Sequence, residues 1–209
     1  MGFDVSEADR LLTTTRSVRR RLDRHRAVPP GLIRDALQVA TQAPTSGGNQ
    51  DWRWLVVTDP ALRTGLGAVY RRASEAIARP AATGAASAHD RSADVFTQHL
   101  GEVPVLVLAC YQRRGWHARS PHRALVDASV YGSIYPAVWS LQLALRSRGL
   151  VSCFLAAHLR YADEVADLVS LPADIGQAGM VAVGWPDRDD FRPARRRPVD
   201  EVVRFDRWT

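Results

Sequence analysis

Six arginines crowd the stretch "TTTRSVRRRLDRHR", Thr13 to Arg26: Arg16, Arg19, Arg20, Arg21, Arg24 and Arg26. Ser17 lies between the first two. One hydroxyl and two guanidiniums can hold a single phosphate monoester, because arginine donates in a planar fork and charge-assisted hydrogen bonds are the strong class. One phosphate needs two or three donors. Arg20, Arg21, Arg24 and Arg26 are surplus to it and are expected to face solvent. Two other readings stand beside the phosphate anchor: a solvated charged face, and a nucleic-acid contact. The second lacks a helix-turn-helix pattern and interleaved aromatic residues, so no nucleic-acid partner is expected.

Two more segments carry donors. "APTSGGNQDW" (43–52) is a loop with paired glycines, able to bring backbone N–H groups close to a ligand. Thr45, Asn49 and Gln50 supply its polar side chains. Amide side chains both donate and accept, which suits a heterocycle edge of alternating C=O and N–H, such as the pyrimidine side of a flavin. The same loop also reads as a plain turn before a strand. Near the C-terminus, Arg192, Arg195, Arg196 and Arg197 follow "GWPDRDDF". Alone they read as a solvated turn; paired with the first cluster they could close on the same phosphate.

The totals exclude other chemistries. All 28 cationic residues are arginine, so a lysine Schiff base is impossible. Arginine and alanine are abundant throughout, as in a GC-rich genome, so the net charge of +6 says little about nucleic acid. Cys110 and Cys153 lie in apolar runs and read as buried reduced thiols. The six histidines show no ligand spacing, and no metal site is expected. No run approaches the roughly 18 apolar residues that span a bilayer. The acidic N-terminus lacks a signal pattern, so a cytoplasmic protein with no membrane partner is expected.

With 209 residues, 46% of them hydrophobic, a sizeable core is expected, in one domain over 1–209. Helices are predicted over 4–14, from Pro29–Pro30 to Pro44, over 60–79, 91–101 and 124–150, and through "YADEVADLVSL". Strands are predicted at "RWLVVT" (53–58), "PVLVLACY" (104–111), "VSCFLAA" and "AGMVAVGW" (178–185). The helix at 124–150 is apolar nearly all round, with Ile134, Val138, Leu141 and Leu145 on one stripe and Gly149 as its cap. Such a helix is buried on most sides, in a core or between subunits. "RRGWHARSPH" reads as a loop, 78–95 as a variable lid, and 192–209 as an extended arm. The alternation suggests an α/β or α+β layered domain.

Five segments in this order resemble one bacterial branch of the nitroreductase family: "TTRSVRRRLD", "QAPTSGGNQDWRWLVVTDP", "GSIYPAVWSLQLALRSRGLVSC", "LVSLPADIGQAGMVAVGW" and "DFRPARRRPVDEVV". The resemblance implies an α+β fold with a central, mainly antiparallel sheet flanked by helices. It implies a homodimer with FMN at the subunit interface and the C-terminal arm on the partner. It also implies hydride transfer from NADH or NADPH through FMN to an electron-poor acceptor such as a nitroaromatic or quinone. By that resemblance Arg16, Ser17 and Arg19 fall on the phosphate motif, with Arg196 and Arg195 on its C-terminal counterpart. Thr45, Asn49 and Gln50 fall in the loop facing the flavin, and Phe154, Leu155 and Ala156 border its N5 edge through their backbone. Trp52, Trp139 or Phe154 would line the open face. No general base is nominated, since the cofactor carries the hydride. The segments 78–95 and 112–122 would set the nicotinamide preference. This chain departs from the pattern in three places: Thr15 where many members have arginine, Gly48 where relatives have asparagine, and Ala156 and Ala157 where relatives have threonine. A flavin-dependent biosynthetic dehydrogenase or oxidase on the same fold, and a non-catalytic flavin-binding protein, are the alternatives.

Overall fold

The computed structural model describes residues 2–77 and 95–208. Its centre is an antiparallel sheet in the order β1–β5–β3–β2, with β4 also paired to β5. The strands are β1 (Leu22–Asp23), β2 (Trp52–Val57), β3 (Val105–Gln112), β4 (Val151–Leu155) and β5 (Ile175–Pro186). The first six residues of β3 are all buried, as a strand covered on both faces requires. Only β1, two residues inside the arginine cluster, was not foreseen; it is too short to show a pattern.

Around the sheet run α1 (Val5–Thr14), α2 (Pro30–Ala40), α3 (Pro60–Ile77), α4 (Gly115–Arg119), α5 (Arg123–Ser147) and α6 (Ala162–Leu168). One core cluster joins α2 and α5 to one face of β3 through Ile33, Ala36, Val107, Val138, Leu141 and Leu145. A second joins α3 and α6 to the other face through Leu66, Val69, Leu106, Leu108, Val165 and Met180. The predicted α5 stripe of Ile134, Val138, Leu141 and Leu145 is buried, and Gly149 takes φ +79 just past the helix end. The opposite side of α5 exposes Leu125, Tyr135 and Trp139.

Three expectations need correction. α2 stops at Ala40, where the backbone N–H groups of Thr41, Gln42 and Ala43 turn back on Leu37, Val39 and Ala40, so Pro44 is not its terminator. The loop read at "RRGWHARSPH" contains α4, with the Arg114 backbone N–H donating to His117 Nδ1 at its start. The arm at 192–208 forms no strand; its alternation is interrupted by a 3₁₀ turn at Val199–Glu201, beyond which Phe205 and Trp208 are exposed. The lid expected over 78–95 lies outside the described residues except for Val95. Of the helix expected over 91–101, residues 95–101 are described: 95–98 are helical, but His99 is a turn and Leu100–Glu102 form a 3₁₀ turn, so the helix ends short of 101.

Candidate functional site

The arginine cluster divides its labour. Arg16, Ser17, Arg19, Arg20 and Arg21 line a crevice of about 480 Å³ together with Asp190, Phe191 and Arg192. Its far wall is pinned by the cluster itself: Arg21 pairs with Asp190, the Asp187 N–H donates to the Arg21 carbonyl (2.9 Å), and Arg16 Nη1 donates to the Arg192 carbonyl (3.1 Å). Behind it, Arg146 pairs with Asp189 (2.7 Å) and lies over Phe191. Arg24 and Arg26 serve elsewhere, on Glu102 (2.8 Å) and over the Trp185 ring (4.0 Å). The expectation that Arg21 and Arg24 are surplus needs correction: both stay partly open to solvent, but each is committed to an ion pair with a distant carboxylate. Arg195 and Arg196 follow the wall by a few residues and are exposed, with Arg196 donating to the Arg195 carbonyl.

The crevice is joined to the sheet through backbone. Ser17 bridges Ser152 in parallel, and the Val18 N–H donates to the Ser152 carbonyl (3.0 Å), which sets Arg16, Ser17 and Arg19 at the head of β4. Ser17 and Arg19 reach the Cys153 thiol; burial pushes that thiol up, and their contacts oppose it only in part. Cys110, also free, is pushed up to about 12 by burial, so both thiols are unreactive core groups. Thr15 does not enter the crevice, since its Oγ1 donates to the Leu11 carbonyl at the end of α1 (2.6 Å).

At the far end of β4, the Phe154 ring rests on Gly179 of β5, where any Cβ would strike the ring. The β3–β5 register slips here, leaving Ala178 as an extra residue. Tyr135 Oη donates to the Ala178 carbonyl (3.3 Å) and its ring meets Phe154 edge-on at 5.7 Å. Leu155 is buried, leaving only its backbone to face a ligand, and Ala156 is exposed at the head of a 3₁₀ turn. In that turn His158 is fully buried, with no hydrogen-bond partner for either ring nitrogen among the described residues. Burial lowers its pKa from 6.5 to about 4.

The 45–51 loop is held differently. Gly47 and Gly48 take φ +59 and +66, and Gln50, which is not glycine, takes φ +50. The Ser46 N–H donates to Ser133 Oγ (2.9 Å), Ser46 Oγ meets Ser129 Oγ (3.3 Å), and Trp52 Nε1 donates to the Ser133 carbonyl (3.1 Å). Thr45 Oγ1 accepts the Gln50 N–H (3.3 Å), while the Asn49 and Gln50 side chains are exposed. From the other side Arg114 grips Asp51 through two nitrogens. Crevice and loop share no lining residue.

Residues 12–185 match the nitroreductase family. The chain belongs to that family. In general terms this makes it a flavin-dependent oxidoreductase. It is 29% identical to an NADH dehydrogenase of Thermus thermophilus, over 95% of this chain and 96% of the relative. It is 27% identical to a 4-nitrobenzoate reductase of Nocardioides, over 96% and 90%. The fold is similar to that of an iodotyrosine deiodinase solved with FMN and 3-iodo-L-tyrosine, with TM-score 0.70 and 25% identity, covering 95% of this chain and 98% of the other.

The structure thus brings Arg16, Ser17 and Arg19 together beside β4, and holds Thr45, Asn49 and Gln50 in a separate loop on α5. Sequence reading missed Ser129 and Ser133, although two hydroxyls four apart on an otherwise apolar helix share one face and were a usable signal. It also missed the Asp51–Arg114 pair and the Tyr111–Tyr131–Tyr135 row, which depend on tertiary contacts. Among the described residues no group of acidic, histidine or cysteine side chains could hold a metal, and no helix is long and apolar enough to cross a membrane.

Proposed function

We propose that the chain is an FMN-dependent oxidoreductase, acting as a homodimer, that passes hydride from NADH or NADPH to an electron-poor aromatic or quinone-like acceptor. The observation that carries this reading is the crevice: a hydroxyl and several guanidiniums converge at the head of β4 with one carboxylate, Asp190, already paired to Arg21. That donor set fits a phosphate monoester. Arg16, Ser17 and Arg19 would hold the phosphate, with Arg195 and Arg196 closing over it from the adjoining arm. When bound, FMN supplies the hydride chemistry. The end of β4, at Phe154, Leu155 and Ala156, would border the ring, while the 45–50 loop would offer Thr45, Asn49 and Gln50 to its polar edge.

Because crevice and loop share no wall, one copy's crevice would be completed by the loop of a second. The exposed Leu125, Tyr135 and Trp139 of α5 and the exposed arm favour that assembly. Likeness to a 4-nitrobenzoate reductase supports an aromatic acceptor. The test is the absorption spectrum of the purified protein, followed by NAD(P)H oxidation with a nitroaromatic and a light-scattering mass. A yellow dimer with acceptor-dependent turnover is expected; a colourless protein that FMN cannot reconstitute would overturn the reading.

A further inference from the structure

We infer that the cleft between α4 and the start of α5 is a subsite for the anionic group of an aromatic acceptor, a carboxylate or sulfonate on the ring. The inference rests on the function proposed above and narrows its acceptor class. The cleft, about 220 Å³, is lined by Tyr111, Arg113, Arg123, Asp127, Val130 and Tyr131 among others. It adjoins the hollow behind the 45–51 loop, sharing Tyr111, His117 and Val130 with it.

Its cations are not equally committed. Arg114, also in the wall, is spent on Asp51. Arg123 reaches Asp127 only at 3.5 Å and otherwise donates to the His117 carbonyl (3.2 Å). Arg113 donates to the Ala173 carbonyl (3.3 Å), lies close enough to Tyr111 for its charge to be felt there, and has no ion pair among the described residues. A guanidinium with neutral partners keeps its attraction for an incoming anion. Beside it, burial pushes the Tyr111 phenol up, so the ring stays neutral and does not repel one. Tyr111 meets Tyr131 edge-on at 6.4 Å, and Tyr131 stacks on Tyr135 at 5.3 Å, which in turn meets Phe154. The row offers aromatic faces from the cations to the segment at the end of β4. A ring with a negative substituent matches both features; a neutral ring matches one.

The test uses benzoate and benzamide as dead-end ligands, titrated by calorimetry into the purified protein as isolated. Benzoate is expected to bind at least 10-fold more tightly than benzamide. Arg113→Ala and Arg123→Ala should each weaken benzoate about 10-fold and leave benzamide unchanged. Arg113→Lys should restore most of the preference, and Arg119→Ala, outside the cleft, should change nothing. Equal affinities for the two probes would overturn the subsite, as would loss of benzamide binding in step with benzoate. Displacement of benzoate by 2′-AMP with higher affinity would also overturn it, by showing a nucleotide-phosphate site instead. Failure of the flavin reading appears separately, as a colourless protein whose benzoate preference persists.

Discussion

The crevice and the 45–51 loop are both donor-rich, but they are built on opposite plans. The crevice is set by backbone pairing to β4 and by ion pairs that fix its wall, leaving Arg16, Ser17 and Arg19 at its mouth. The loop is set by hydroxyls of α5 and by three residues at positive φ, leaving amide side chains in solvent. The first plan concentrates charge where a phosphate can take it. The second fixes backbone direction and leaves contacts to be made by whatever docks. The strongest way to break this contrast is to remove charge from the crevice. Hydrogen bonds to charged groups contribute about 1.5–3 kcal/mol each, so Arg16→Ala or Arg19→Ala should each raise the FMN Kd about 10- to 100-fold. Riboflavin, lacking the phosphate, should bind each variant as it binds the parent. A parallel loss of riboflavin, read by fluorescence titration, would place the phosphate elsewhere.

Acid sharpens the contrast from β4, the strand that both carries the crevice at its head and leads to His158 at its end. His158 follows the end of β4, buried and unpaired, with its folded pKa lowered from 6.5 to about 4. The unfolded chain then binds the extra proton first, so stability is whole above about pH 6.5 and is lost as pH falls toward about 4. That gap corresponds to about 3 kcal/mol at full protonation. The loop ties through Thr45, Ser46, Ser129 and Ser133 do not titrate in this range. Melting curves at pH 7.5 and 5 should show the parent losing stability, and His158→Leu losing less. An identical loss in both would assign the acid effect to surface carboxylates.

These two regions also mark what the sequence made readable. Ser17 flanked by Arg16 and Arg19 carries its chemistry in residue type and spacing, so these three could be grouped as a proposed anchor before any fold, and they do line one crevice. The strands were legible because β3 and β5 are buried on both faces, and their unbroken apolar runs admit little else. The fate of Arg21 and Arg24 was not, since an arginine's partner is decided by a carboxylate far away in the chain, here Asp190 and Glu102. Nor was Tyr135, whose hydroxyl donates to the carbonyl of Ala178, the extra residue of β5.

Glycines separate the two plans at a smaller scale. At Gly179 a Cβ would run into Phe154 in a packed layer, so Gly179→Ala should cost about 1–3 kcal/mol by overpacking and displace that ring. At Gly48 a Cβ meets nothing within 4 Å, and the cost is only that of φ +66, about 1–2 kcal/mol. Thermal unfolding should therefore rank Gly179→Ala as the equal or worse of the two. Near-ultraviolet circular dichroism should change for Gly179→Ala and stay close to the parent for Gly48→Ala. A larger spectral change at Gly48 would mean that the loop, not the β5 seat, organises the aromatic row.

The smallest effect is expected at the Asp51–Arg114 pair, which ties the loop to α4. Arg114 is 41% exposed and Asp51 16%, so solvent weakens the attraction and salt screens what remains. Asp51→Asn should shift flavin affinity only severalfold. The shift should be the same for FMN and riboflavin, because the loop would touch the ring system common to both. Here the two plans part: a crevice variant separates the two flavins, and a loop variant does not. Combining Asp51→Asn with Arg114→Ala should cost no more than either alone, and 0.5 M salt should bring the parent close to the single variants. Additive losses would mean that each side chain contacts the flavin on its own account, and the pair would then belong to the binding surface rather than to its support.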